Sequence, residues 1–192
     1  MPDGSQSRPA ARSALVNLPN AITFARLCAV PVAVGLVLYQ RPLAAFWLFA
    51  AAGASDAIDG WLARRQGTTL IGAMLDPVAD KALLVSMYIT LAVVRALPDW
   101  LAIMVVFRDA IIVGGVLLLA VTGHGVTIKP LWISKLNTTL QILLVAVTLL
   151  LDGIAPTGFP LVAEGLIGLL VAAVAASTFA SGTAYVWNTV RT

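Results

Sequence analysis

Residues 56–80 read DAIDGWLARRQGTTLIGAMLDPVAD and place four aspartates in a chain that is otherwise largely apolar. Asp56 and Asp59 are spaced i,i+3, and Asp76 and Asp80 i,i+4. On helices each pair shares one face. Four carboxylates gathered at one place repel strongly if ionised and bare. Divalent cations resolve the conflict: Mg²⁺ or Mn²⁺ takes hard oxygen ligands, is shared between carboxylates and engages substrate phosphates. Gly60, Ala63 and Gly72 keep the neighbouring helix surfaces low, so that a ligand can approach closely. Arg64 stands at the polar end, where a guanidinium can meet phosphate. Pro77, between the second pair of acids, removes a backbone donor and either kinks its helix or marks its first turn. The competing reading is a structural ion cluster with Asp56 or Asp59 bonded to Arg64 or Lys81. Four acids at paired helical spacing, with small residues among them, argue for the metal.

Such a site needs helices to hold it, and composition says which kind. The chain has 192 residues, 60% hydrophobic and 11% charged, with mean hydropathy +0.96. A soluble domain carries roughly 25% charged residues. Long apolar stretches separated by Pro, Gly or charge place six membrane-spanning helices at 20–39, 43–63, 71–94, 100–121, 134–151 and 160–188. The expected fold is therefore an all-α integral membrane protein with six transmembrane helices. A short interfacial helix over 13–19 precedes them, and residues 1–12 form a disordered cytoplasmic tail; 13–192 is one membrane domain. The break at 64–69 makes spans two and three antiparallel neighbours and brings all four acids to one end of a hairpin. A charge at the bilayer centre costs at least ~2.5–3.5 kcal/mol, so these acids must line a polar cavity.

Basic residues fix the orientation. Arg8, Arg12, Arg26, Arg64, Arg65, Lys129, Lys135 and Arg191 fall near one side, and only Arg41 and Arg95 in the opposite breaks. Both termini and the acid site are thus expected on the cytoplasmic side. The membrane is a bacterial inner membrane or an organelle inner membrane.

Asp56-x-x-Asp59-Gly60-x-x-Ala63-Arg64 followed by Gly72-x-x-x-Asp76-x-x-x-Asp80 resembles the signature of the CDP-alcohol phosphotransferases. The stretch between Arg64 and Gly72 is one residue shorter than that family's usual spacing, a difference confined to the loop. The resemblance implies that Asp56, Asp59 and Asp76 hold divalent metals, two ions of Mg²⁺ or Mn²⁺, with Asp80 joining the site. It implies that Asp80 is also the general base for the acceptor hydroxyl. Gly60, Ala63 and Gly72 would give room to the nucleotide of CDP-diacylglycerol, and Arg64 would contact its phosphates. Asn20-x-x-Thr23-x-x-Arg26 sits on one face at the start of span one, similar to a run that lines the nucleotide site in the family. The resemblance also suggests a homodimer, and no nucleic acid is expected as a partner.

The acceptor alcohol divides the family. Phosphatidylglycerol gives cardiolipin; glycerol 3-phosphate gives phosphatidylglycerophosphate. FRDAIIVGGVLL (107–118) carries Arg108-Asp109 and no second arginine, and IKPLWISKLNTTLQILLVA (128–146) looks like the corresponding stretch of the CDP-diacylglycerol-dependent cardiolipin synthases. The expected function is phosphatidyl transfer from CDP-diacylglycerol to phosphatidylglycerol, with Arg108 and Lys135 at the acceptor headgroup. Adjacent helical residues do not face each other, so Arg108 and Asp109 are expected to find separate partners. Ser134, Asn137, Thr138 and Gln141 form a polar face suited to headgroup contact. His124 reads as an exposed loop residue, and Cys28 as a packed, inert thiol. A small ion-coupled transporter is the reading from another class. Transporters more often show related halves, and none is evident here.

Overall fold

The computed structural model describes the backbone of residues 18–66, 70–121, 132–155 and 161–190, and the side chains of 23–55, 81–112, 114, 132–155 and 163–183. Six α-helices follow in order: α1 Leu18–Leu38, α2 Pro42–Gln66, α3 Leu70–Val93, α4 Asp99–Val121, α5 Trp132–Ile154 and α6 Leu161–Val190. No strand occurs among the described residues. The tail 1–12, most of the stretch expected as an interfacial helix, His124 and Lys129 lie outside them; Leu18 and Pro19 belong to α1.

Two tight turns end odd-numbered helices with the same device. Gln40 and Arg95 adopt left-handed φ values of 57° and 64°. Arg41 N–H then reaches Leu36 O at 2.8 Å, and Ala96 N–H reaches Leu91 O at 2.9 Å. These are the long backward bonds of a Schellman cap, which satisfies carbonyls that a helix end leaves unpaired. Pro42 then opens α2 at a position where its missing N–H costs nothing. Asp99 places an acid in the first turn of α4, favourable to the helix dipole.

The core lies between α3, α4, α5 and α6 and extends to α1 and α2. Tyr88, Met87, Leu91, Leu101, Val105, Leu144, Leu149 and Val174 are its most buried large side chains. Tyr88 hands its hydroxyl proton to Gln141 O at 3.3 Å, tying α3 to α5. α1 packs on α2 and α3, α2 also on α5, and α5 on α6. Among the described residues α2 and α3 make no direct packing contact; α1 touches both instead. The side chains of the acid-bearing stretch 56–80, where these two helices are expected to meet, are outside the description.

The outer surface is apolar: Phe24, Trp47, Val93, Ile103, Phe107, Leu169 and Phe179 are each well exposed. Two described segments, Trp132–Ile154 and Ala163–Thr183, are long and apolar enough to cross a membrane. Cys28 corrects an expectation. Its thiol is exposed on the outer face of α1 with Phe24, Leu27 and Val32. That face of α1 has no helix against it among the described residues.

Gly153 marks the closest approach of two helices. A Cβ there would lie 2.8 Å from Leu43 Cβ and 2.9 Å from Leu43 Cα and N. Backbone cannot yield as a side-chain tip can. Gly153→Ala is therefore expected to force α5 off the start of α2 and to destabilise the protein by roughly 1–3 kcal/mol, the usual range for overpacking. Gly35→Ala, where the added methyl meets nothing within 4 Å, is the matched control. Thermal unfolding in detergent distinguishes the two; an unchanged melting temperature for Gly153→Ala refutes the clash.

Candidate functional site

The acid residues occupy continuous helix. Asp56 and Asp59 lie toward the C-terminal end of α2, and Asp76 and Asp80 in the N-terminal half of α3. The separating segment 67–69 is outside the described residues. α2 runs on through Arg64 and Arg65 to Gln66, so Arg64 stands on helix rather than in the break. α3 runs through Pro77 well past its first turn, which excludes the reading of Pro77 as a helix start. Along each axis the paired acids rise about 4.5 and 6 Å at 1.5 Å per residue. The side chains of Asp56, Asp59, Gly60, Ala63, Arg64, Gly72, Asp76 and Asp80 all fall outside the description, as does that of Asn20. As a donor set the four residues are all carboxylates, a chemistry that fits hard ions such as Mg²⁺ or Mn²⁺ and not thiophilic metals.

Immediately beyond Asp80 the side chains are described, and a charged chain begins. Lys81 Nζ lies 2.6 Å from Asp109 Oδ2. Asp109 Oδ1 accepts from Arg108 Nη1 at 2.7 Å. Arg108 Nη2 donates to Ser134 Oγ at 2.8 Å and to Ser181 Oγ. The chain thus joins α3, α4, α5 and α6 in one layer. Arg108 and Asp109 are each 6% exposed, Lys81 34%. Removing one member of such a buried pair strands the other charge, which costs about 3–5 kcal/mol.

This corrects the expectation that Arg108 and Asp109 ignore each other. Their Cβ atoms do diverge, but the guanidinium is long enough to fold back onto the neighbouring carboxylate. Each also has a partner elsewhere: Ser134 and Ser181 for Arg108, and Lys81 for Asp109. It also assigns Lys81 to Asp109, a pairing between residues far apart in sequence.

The polar face of α5 turns inward rather than toward headgroups. Asn137 and Gln141 are fully buried, and Asn137 Oδ1 accepts from Ser177 Oγ at 2.8 Å and Thr178 Oγ1 at 2.9 Å. The Asn137 amide oxygen thus ties α5 to α6, as polar residues between membrane helices do. Ser177, Thr178 and Ser181 were not singled out from sequence. Their signal was present: three hydroxyls at i, i+1 and i+4 in a largely apolar α6. Lys135, one residue past Ser134, is exposed. Thr23 and Arg26 are both buried, 3% exposed, on a helix that packs against α2 and α3.

A helical bundle with paired carboxylates on α2 and α3, and an inward Thr–Arg face on α1, is what the family comparison meets. The CDP-alcohol phosphatidyltransferase family model matches residues 16–182, and the chain belongs to that family. It is 35% identical over 157 residues to the chloroplastic CDP-diacylglycerol–glycerol-3-phosphate 3-phosphatidyltransferase 1 of Oryza sativa subsp. japonica, covering 72% of this chain and 48% of the relative. It is 33% identical over 190 residues to a cardiolipin synthase (CMP-forming)/mitochondrial hydrolase fusion protein of Schizosaccharomyces pombe, covering 91% and 31%. It is also 33% identical over 152 residues to the CDP-diacylglycerol–glycerol-3-phosphate 3-phosphatidyltransferase of Bacillus subtilis, covering 71% and 78%. The chain spans about half or less of the length of the first two relatives.

Proposed function

We propose that this chain moves a phosphatidyl group from CDP-diacylglycerol to the free hydroxyl of phosphatidylglycerol, giving cardiolipin and CMP. Asp80 takes the proton of the attacking hydroxyl. A new bond forms between that oxygen and the phosphorus carrying the diacylglycerol. The bridging P–O bond breaks, and CMP leaves with its electron pair. Asp56, Asp59 and Asp76, with Asp80, hold two Mg²⁺ or Mn²⁺ ions, which when bound neutralise charge on the diphosphate and the leaving group. Asn20, Thr23 and Arg26 line the nucleotide; Gly60, Ala63 and Gly72 leave it room, and Arg64 contacts its phosphates. Six membrane-spanning helices, with both termini cytoplasmic, hold this site at the cytoplasmic face of an inner membrane. The protein works as a homodimer among membrane lipids. The exposed apolar surface supports a lipid surround for the whole bundle.

The observation that carries the acceptor is the commitment of Arg108. Both its Nη groups are engaged, by Asp109, Ser134 and Ser181, and only buried Nε has no partner among the described residues. One wholly unpartnered nitrogen and the exposed Lys135 suit the single charge of a phosphodiester. A phosphomonoester dianion calls for more cations than α4 supplies. The competing acceptor is glycerol 3-phosphate, which the names of the rice and Bacillus relatives favour. Purified enzyme given CDP-diacylglycerol, Mg²⁺ and each acceptor in turn is expected to make cardiolipin and little phosphatidylglycerophosphate. Thin-layer separation of the products decides it. A strong phosphatidylglycerophosphate spot without cardiolipin would reverse the choice of acceptor and leave the chemistry of the donor untouched.

A further inference from the structure

Resting on the reading of Asp80 as the base, we infer that Asp109 is a positioning residue that acts on Asp80 through Lys81. Lys81 follows Asp80 directly in α3, and its ammonium lies 2.6 Å from the Asp109 carboxylate on α4. Asp109 is itself held by Arg108, and Arg108 by Ser134 of α5 and Ser181 of α6. The anchor that Lys81 reaches is therefore fixed to three helices before Lys81 arrives.

A second contact shows what the anchor does. Tyr88 is fully buried and donates to Gln141 O. Lys81 and Tyr88 are i,i+7, which returns to the same face of a helix after about two turns. One face of α3 is thus pinned at two heights, by Lys81 to α4 and by Tyr88 to α5. A helix pinned on one line cannot turn about its axis. Position 80 stands about 100° around that axis from Lys81, so the pin sets which way this position of the helix faces. Lys81 is one-third exposed. Burial does not oblige it to pair, and the bridge is better explained by the orientation it imposes.

The test uses the full-length chain and CMP release, with phosphatidylglycerol and glycerol 3-phosphate supplied together so that the rate does not depend on which is the acceptor. Lys81→Met removes the tether and leaves the buried Arg108–Asp109 pair intact. It is expected to lower kcat about tenfold, as small misplacements of reacting groups do, with KM for CDP-diacylglycerol within about twofold. Its melting temperature should stay close to wild type, and Lys81→Arg should recover most of the lost rate. Asp109→Asn should lower kcat as well, and the double variant should be no slower than the slower single, the mark of two residues acting as one unit. Where Asp109→Asn does not fold, the Lys81 pair of variants carries the test. A Lys81→Met kcat near wild type, or losses that multiply in the double variant, overturns the inference. Asp80→Asn run alongside keeps the failures apart. If Asp80→Asn is inactive and Lys81→Met is normal, only the positioning role fails; if Asp80→Asn is fully active, the base assignment falls and this inference with it.

Discussion

EDTA is expected to abolish CMP release from CDP-diacylglycerol, and Mg²⁺ or Mn²⁺ to restore it. Asp56, Asp59, Asp76 and Asp80 bring up to four negative charges to the ends of two helices joined by a short segment. The substrate adds a diphosphate. Without cations the site repels its own ligand and leaves the charge developing on CMP uncompensated. Metal ions supply several kcal/mol of such stabilisation, and a loss of that size slows turnover on the order of a thousandfold. Turnover that persists at full rate in a rigorously metal-free preparation would rule out the carboxylate site as drawn.

The second large effect separates proton transfer from binding. Asp80→Asn keeps the shape of the side chain and removes its basicity. General-base catalysis contributes roughly 10²–10⁴-fold, and kcat is expected to fall by that much while CDP-diacylglycerol still binds measurably. Asp59→Asn is expected to weaken both metal and nucleotide binding, because its carboxylate serves as a ligand. Equilibrium binding of labelled CDP-diacylglycerol beside single-turnover rates tells the two apart. Near wild-type kcat in Asp80→Asn, or normal binding of both ligands by Asp59→Asn, contradicts the division of roles.

Much of the bundle was legible because Pro, Gly and charge interrupt long apolar runs. Each of the six expected segments corresponds to a helix, and the differences sit at the ends. Hydropathy marks where apolar sequence stops, whereas backbone hydrogen bonding continues. α2 therefore carries Arg64 and Arg65 as helix, and α5 carries Asp152 and Gly153. Gly153 is helical, and a side chain there would collide with Leu43 at the start of α2. The acids were legible as a group by their spacing. Their neighbours were less so. Lys81–Asp109 depends on the packing of α3 against α4, which no local pattern encodes. The inward turn of Asn137 depends on hydroxyls that arrive from α6. The rule that adjacent helical side chains diverge describes Cβ directions and says little about an arginine long enough to fold back.

The contact of Gly153 with Leu43 also acts as a fulcrum. Leu43 stands at the start of α2 and Asp59 lies farther along the same rod, roughly 24 Å away at 1.5 Å per residue. Tilting a rod of that length by about 2–3° carries its far end about 1 Å, and a misplacement of that size at a reacting centre can cost about a hundredfold in rate. A methyl group wedged at the fulcrum thus has mechanical advantage over the carboxylates. Gly153→Ala should slow catalysis at temperatures well below its own unfolding, and substitutions that reseat Leu43 should restore the rate without any change near the acids.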